Sequence, residues 1–426
     1  MRFYTGDESG LIKAIDIDHN VTLLEAQSQA AKKAKAAAKA KTLEKKGDTT
    51  PAGPAELAGV GMRTVSGAVS RSQGIQHMCT STWATGESVF VVGRKNGEIE
   101  AISRDSGQSL VKFAEPGFAD TFSIKNNGRL ITERHYVGVG AADGRFVACT
   151  NMGEVRYQPF ASADGEPAAA AATLMKLPMD AFRMRVHPKR PSVFAVGGRE
   201  QELTVWDAET VKAGAAEGGY AKPSSAPIFK SKNVPNDNLD LHVPVWITDM
   251  QFTSDDTANP TIAVSTGYKQ IRIYDAKAQP RPVHNWTPSK HPIYHIIVSH
   301  TRPELYFADN TGSLSQLDLR TGKVIGGYKG IAGAVKSIAL SEDGSKVAAA
   351  GLDRYLRVFE AGGMRRPLHQ AYIKQRVSHV VWDWEQKDLG LDEIEQKEAE
   401  EIWEDMGRLD QDVPPKRRTT KRKAAN

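Results

Sequence analysis

The sequence predicts an all-β protein, a seven-bladed β-propeller, from three observations. One strand motif recurs at a nearly constant spacing. Each later copy sits in the same local order of short strands and turns. The two chain ends carry complementary parts of one further copy. The clearest copies are QIRIYDAKAQ (270–279), SLSQLDLRTG (313–322) and YLRVFEAGGM (355–364), in which Asp275, Asp318 and Glu360 close equivalent strands 43 and 42 residues apart. ELTVWDAET (202–210) is an earlier copy and holds the Trp206-Asp207 pair. GLIKAIDI (10–17), GEIEAISRDSG (97–107) and GEVRYQPF (153–160) bring the number to seven. A period near 42 residues built of short strands is the mark of a four-stranded blade of the WD40 type. A lone blade leaves both faces in water and is stable only when stacked on neighbours. The 426 residues therefore read mainly as one ring rather than as two or three ordinary domains.

Each element follows from local pattern. In the last copy VKSIALS (335–341) alternates, EDG turns, KVAAAG (346–351) is a buried apolar run, LDR turns and YLRVFE alternates again. A weaker fourth strand, PLHQAYI (367–373), follows. VSHVVWDW (377–384) then has the character of a first strand with no second strand after it, while RFYTGD (2–7) and GLIKAIDI read as a second and a third. Pairing the two ends completes the seventh blade and removes two open sheet edges. The propeller is thus expected over 1–384. Residues 26–73, Lys/Ala-rich and then Gly/Ser/Pro-rich, are expected as a flexible insertion, because the Ala/Lys part has helix propensity but no apolar stripe to bury. TFSIKNNGRLITERHY (121–136) reads as an extension of blade two or three. Residues 385–410 are expected as an acidic amphipathic helix, started at Asp392 and ended at Gly407, with Leu391, Ile394, Ile402, Met406 and Leu409 on one face. Residues 411–426 are expected as a disordered basic tail.

Charge is unevenly laid out. Residues 25–48 carry seven Lys against three acids, 383–405 carry eleven acids against two Lys, and 411–426 carry six basic residues against one acid. No apolar stretch approaches the roughly 20 residues of a membrane helix, and the start lacks the layout of a secretory signal. Neither membrane insertion nor secretion is expected. Cys79 and Cys149 fall in separate apolar strands and read as buried small hydrophobes, too few for a disulfide framework or a cysteine-only zinc site.

Catalytic motifs are missing: the chain holds no HExxH, GxxxxGK[ST], GxSxG or CxxC. GVGAADG (138–144) has Asp143 where a nucleotide loop needs glycine and fits a propeller turn better. His187, His291 and His300 read as surface turn residues without metal spacing. The first strands show no repeated acidic position of the kind a propeller hydrolase uses for calcium. No enzyme activity, cofactor or metal is expected. Asp309 and Asp353, in turns between second and third strands, are expected to bind backbone amides of their own blades, and Trp206, with Asp207 beside it, to pack.

The candidate binding residues are cations on loops. Turns between second and third strands carry Lys95, Arg199, Lys269 and Arg354. Connections from a fourth to the next first strand carry Lys290, Lys374 and Arg376, which belong on the same face. The Lys-rich loop is a further phosphate-binding candidate. In the tail, Lys416, Arg417, Arg418, Lys421, Arg422 and Lys423 form a run that stays solvated and suits an import receptor reading charge in extended chain.

RFYTGDESGLIKAID at the start, GLDRYLRVFE (351–360), the following RPLHQAYIKQR and the basic tail resemble the WD-repeat ribosome-biogenesis family of Nop-seven-associated protein one. The resemblance spans residues 1–24, about 74–384 and the tail. It implies a non-catalytic nucleolar assembly factor in large (60S) ribosomal subunit biogenesis. Its implied partners are the pre-60S particle, other ribosome-assembly proteins, rRNA and the AAA-type ATPase that releases it, with the protein entering the particle as a monomer. A substrate receptor of a cullin-type ubiquitin ligase is the alternative. Such receptors often carry WDxR at a third-strand end, where this chain has Leu317-Asp318-Leu319-Arg320.

Overall fold

The computed structural model describes residues 1–18, 60–83, 86–115, 117–118, 124–126, 129–131, 133–160, 172–210, 220–236 and 238–383. Every regular element among them is a β-strand. The seven four-stranded sheets are antiparallel meanders. Blade one takes β1 (Arg2–Asp7), β2 (Ile12–Ile17) and β3 (Val60–Ser66) from the N-terminal part of the chain. Blade two is β4 (Ile75–Thr82), β5 (Ser88–Arg94), β6 (Glu98–Ser103) and β7 (Ser109–Ala114). A separate two-stranded sheet, β8 (Ile124–Asn126) with β9 (Arg129–Ile131), comes next. Blade three is β10 (Tyr136–Ala142), β11 (Arg145–Thr150), β12 (Glu154–Pro159) and β13 (Thr173–Lys176). Blade four is β14 (Ala181–His187), β15 (Arg190–Gly198), β16 (Thr204–Asp207) and β17 (Phe229–Lys230). Blade five is β18 (Ile247–Phe252), β19 (Thr261–Thr266), β20 (Ile271–Asp275) and β21 (Gln279–Trp286). Blade six is β22 (Ile293–Val298), β23 (Glu304–Asp309), β24 (Leu314–Asp318) and β25 (Val324–Tyr328). Blade seven is β26 (Val335–Leu340), β27 (Lys346–Gly351), β28 (Tyr355–Glu360) and β29 (Pro367–Tyr372). β30 (Val377–Trp382) is the first strand of blade one.

β30 pairs with β1 in the register Phe3↔Trp382, Tyr4↔Val381, Thr5↔Val380 and Gly6↔His379. The Phe3 and Trp382 rings meet edge-on at 4.5 Å, and the Ser378 hydroxyl donates to the Gly6 carbonyl at 2.9 Å. First strands β4, β10, β14, β18, β22, β26 and β30 each pack beside the next, and β30 packs beside β4.

Composition sets each strand's place. Second strands such as SVFVVGR and KVAAAG are buried almost end to end, because neighbouring blades cover both faces. Fourth strands are less buried than second strands, and QPRPVHNW of β21 is exposed along most of its length. Blades three and four approach so closely that a Cβ on Gly138 would lie 2.4 Å from the Met184 carbonyl oxygen. Only glycine fits there.

Three sequence expectations need correction. Residues 26–73 include a strand: Val60–Ser66 is β3, the outer strand of blade one, paired with β2. Its exposed, mixed pattern hid it, since only one edge of it is held. The 121–136 stretch does not extend a blade; its described part forms the β8–β9 pair, and Tyr136 begins β10. His187 is not a surface turn residue. It ends β14, is 1% exposed, and lies against the Phe252 ring at 4.9 Å. The whole Lys/Ala stretch, the expected helix and the basic tail lie outside the described residues.

Candidate partner-binding face

Hydrogen bonds bring both sets of loops to one end of the ring. In blade two the Lys95 N–H donates to the Gly74 carbonyl just before β4, at 2.8 Å. In blade five the Gly267 N–H donates to Trp246 O before β18, at 2.9 Å. In blade seven the Leu352 N–H donates to Ala334 O before β26, at 3.0 Å. Turns between second and third strands therefore sit beside the connections that lead into first strands.

Side chains within the blades hold these turns. Asp309 Oδ1 accepts from the Thr311 N–H at 3.0 Å, the Thr311 hydroxyl at 2.7 Å and the Ser313 N–H at 3.0 Å. Asp353 Oδ1 accepts from the Tyr355 N–H at 3.3 Å, and its other oxygen pairs with Arg357. Asp7, which sequence reasoning missed, repeats the Asp309 pattern with the Ser9 N–H, the Ser9 hydroxyl and the Leu11 N–H at 3.0, 2.7 and 3.0 Å. The signal was present in the parallel between Asp7-Glu8-Ser9-Gly10 and Asp309-Asn310-Thr311-Gly312. Away from this face, Trp206 is buried with its indole N–H on Thr204 Oγ1 at 3.0 Å, and Asp207 pairs with Arg190 at 3.0 Å.

The seven candidate cations separate into two groups. Lys95, Arg354, Lys374 and Arg376 line one cavity of about 1050 Å³, together with Arg71 and His135. The lining also includes Ile75, Gln76, Tyr136 and Ser378, at the starts of first strands β4, β10 and β30. Five Lys and Arg side chains thus face two carboxylates, Glu8 and Glu133, in the same cleft. Such an excess raises the local concentration of anions. Arg354 has φ of 64° and Lys374 of 71°, left-handed backbone forms uncommon for residues other than glycine, and both are exposed. Arg71 and His135 were not singled out from sequence because each is an isolated polar residue in a connection.

Arg199, Lys269 and Lys290 are not in that cavity. Arg199 lies with its guanidinium 4.1 Å from the centre of the Trp246 ring. Trp246 is surrounded edge-on by Phe182, Tyr268 and Tyr294 at 6.0, 6.2 and 6.0 Å. Lys269 is exposed in the turn next to Tyr268, and Lys290 is exposed ahead of β22. The cysteines are structural: Cys149 is fully buried, and burial raises the thiol pKa of both, that of Cys79 to about 12. Among the described residues no group of three or more His, Cys, Asp or Glu side chains is placed to hold a metal ion.

Seven four-stranded blades with Asp-held turns define a WD-repeat β-propeller with a cationic loop face. No family model matches the chain. WD repeat-containing protein 74 of Bos taurus is 29% identical to it over 350 residues, covering 80% of this chain and 82% of the relative. The Homo sapiens protein of the same name is 28% identical over 351 residues, with 80% and 82% covered. Ribosome biogenesis protein nsa1 of Schizosaccharomyces pombe is 34% identical over 256 residues, 55% of this chain and 65% of the relative. The chain is a homologue of the animal WD repeat-containing protein 74 and of the yeast ribosome biogenesis protein NSA1.

Proposed function

We propose that the protein is a non-catalytic scaffold in ribosome biogenesis, acting in the nucleolus on precursors of the large subunit. It docks on pre-60S particles through rRNA and other assembly proteins, enters as a monomer, and is later removed by an AAA-type ATPase. The names of its homologues support the process, and fold alone would not, because propellers serve many tasks.

The observation that carries the reading is the cleft. Lys95, Arg354, Lys374 and Arg376 converge there with Arg71, from loops far apart in sequence. Backbone hydrogen bonds tie the turns to the first-strand connections, so the stems of these exposed cations are gathered at one place. A phosphate backbone is the matching ligand, and each phosphate neutralised steepens the salt dependence of binding by about 0.7–0.9 log units.

The test is the triple variant Lys95→Glu, Arg354→Glu, Arg376→Glu. Three lost contacts should flatten the log–log salt slope of rRNA binding by about 2–3 and deplete the protein from pre-60S gradient fractions. Co-sedimentation equal to wild type, with an unchanged slope, rules the cleft out as the docking site.

A further inference from the structure

An outer strand of a propeller blade exposes a row of unpaired backbone N–H and C=O groups, and proteins guard such edges with charge or proline. Six of the seven fourth strands here are guarded: Arg63 in β3, Lys112 in β7, Lys176 in β13, Lys230 in β17, Pro282 in β21 and Pro367 in β29. β25 of blade six reads VIGGY and carries neither within the strand; its nearest charges, Lys323, whose carbonyl still accepts from the Asp318 N–H, and Lys329, stand just outside its two ends. Its Val324 and Ile325 are 43% and 46% exposed, and Gly327 is exposed as well. Its register against β24 shifts between Gln316 and Leu317, leaving Ile325 as the extra residue of a bulge. β3, β7, β21 and β29 combine such a register shift with charge or proline inside the strand, whereas β25 has the bulge alone. Beyond the bulge Gly326, Gly327 and Tyr328 pair regularly with Gln316, Ser315 and Leu314.

We propose that the outer edge of β25, which no strand among the described residues pairs with, receives an extended segment of a partner protein as a fifth strand of blade six. Backbone pairing supplies most of the contact in strand addition, and side-chain pockets or patches supply the selectivity. Two features define the segment. Val324 and Ile325 call for apolar residues in its middle. Exposed Lys323 and Lys329, at the two ends of β25, call for acidic residues on both flanks. The site lies on the rim of the ring and is independent of the cationic cleft.

Phage-displayed random dodecapeptides panned on the full-length protein, with counter-selection on Ile325→Lys, test this. That variant places on β25 the guard that other blades already have, so the fold should tolerate it; Val324→Lys is the second variant. The expected pool has an apolar centre and acidic ends. Its synthetic members should bind wild type at least about tenfold more tightly than either variant and slow amide exchange in 325–328. Retention of no peptide, or equal binding to wild type and both variants, overturns the proposal. So does a concentration-dependent wild-type dimer abolished by Ile325→Lys, since the edge then serves a second copy of this chain.

Discussion

Acidification should destabilise the propeller through histidines gathered where its first strands converge. His77 on β4, His295 on β22 and His379 on β30 share that region with Arg183 and Arg185 on β14 and Asp249 on β18. The His77 and His379 rings lie 4.7 Å apart, His295 Nδ1 lies 3.9 Å from Asp249, and Arg185 contacts the same carboxylate at 3.0 Å. Burial, reinforced by the two guanidinium groups, holds His77 well below its ordinary pKa and lowers His295 and His379 to about 3. An unfolded imidazole titrates near 6.5. The folded pKa is depressed, so the stability each ring contributes is complete above that value and lost as pH falls toward 3. Between pH 7 and pH 5 His295 and His379 should each cost about 2 kcal/mol, about 4 together, from the difference in protons bound. Asp249 does not offset this, because its neighbouring arginines hold its pKa below the usual carboxylate value against the opposing effect of burial. Urea unfolding at pH 7, 6 and 5 reads the effect directly. The double variant His295→Gln, His379→Gln should show a pH dependence flatter by about 4 kcal/mol over that interval. Parallel curves for wild type and variant would refute the assignment.

Gly138→Ala drives a Cβ to within 2.4 Å of Met184 O and should cost about 1–3 kcal/mol, seen as a lowered Tm, whereas Gly61→Ala meets only ordinary contacts at 3.8 Å or more and should leave Tm unchanged. Cys149, fully buried, should not react with an aromatic disulfide reagent in the native protein, Cys79, half-buried with its thiol pKa raised to about 12, should react slowly, and urea should release two reactive thiols; rapid labelling of Cys149 without denaturant would contradict its burial. Removing residues 414–426 should move a fluorescently tagged protein from nucleus to cytoplasm, and retention of nucleolar signal would assign import to another segment.

The repeat was readable because its signals are local. KVAAAG could be recognised as a buried second strand, and GLDRYLRVFE as a turn with its third strand, from a handful of adjacent residues. β3 was not, because an edge strand is held on one side and its VGMRTVS carries no sustained alternation. His187 was misread for a related reason: a Pro at the next position suggests a loop, but Phe252 from blade five buries the ring.

The sequence by itself determined the number of blades, the turn aspartates Asp309 and Asp353, and the loops that carry the cations, since periodicity and turn chemistry act over a few neighbouring residues. Only the tertiary structure decided that Lys95, Arg354, Lys374 and Arg376 share a cleft with Arg71 and His135, while Arg199, Lys269 and Lys290 do not. It also gathered Arg183, Asp249, His295 and His379 from four blades into one interacting group. The reason is physical: circular stacking makes neighbours of residues hundreds of positions apart, and no local pattern encodes which loops meet.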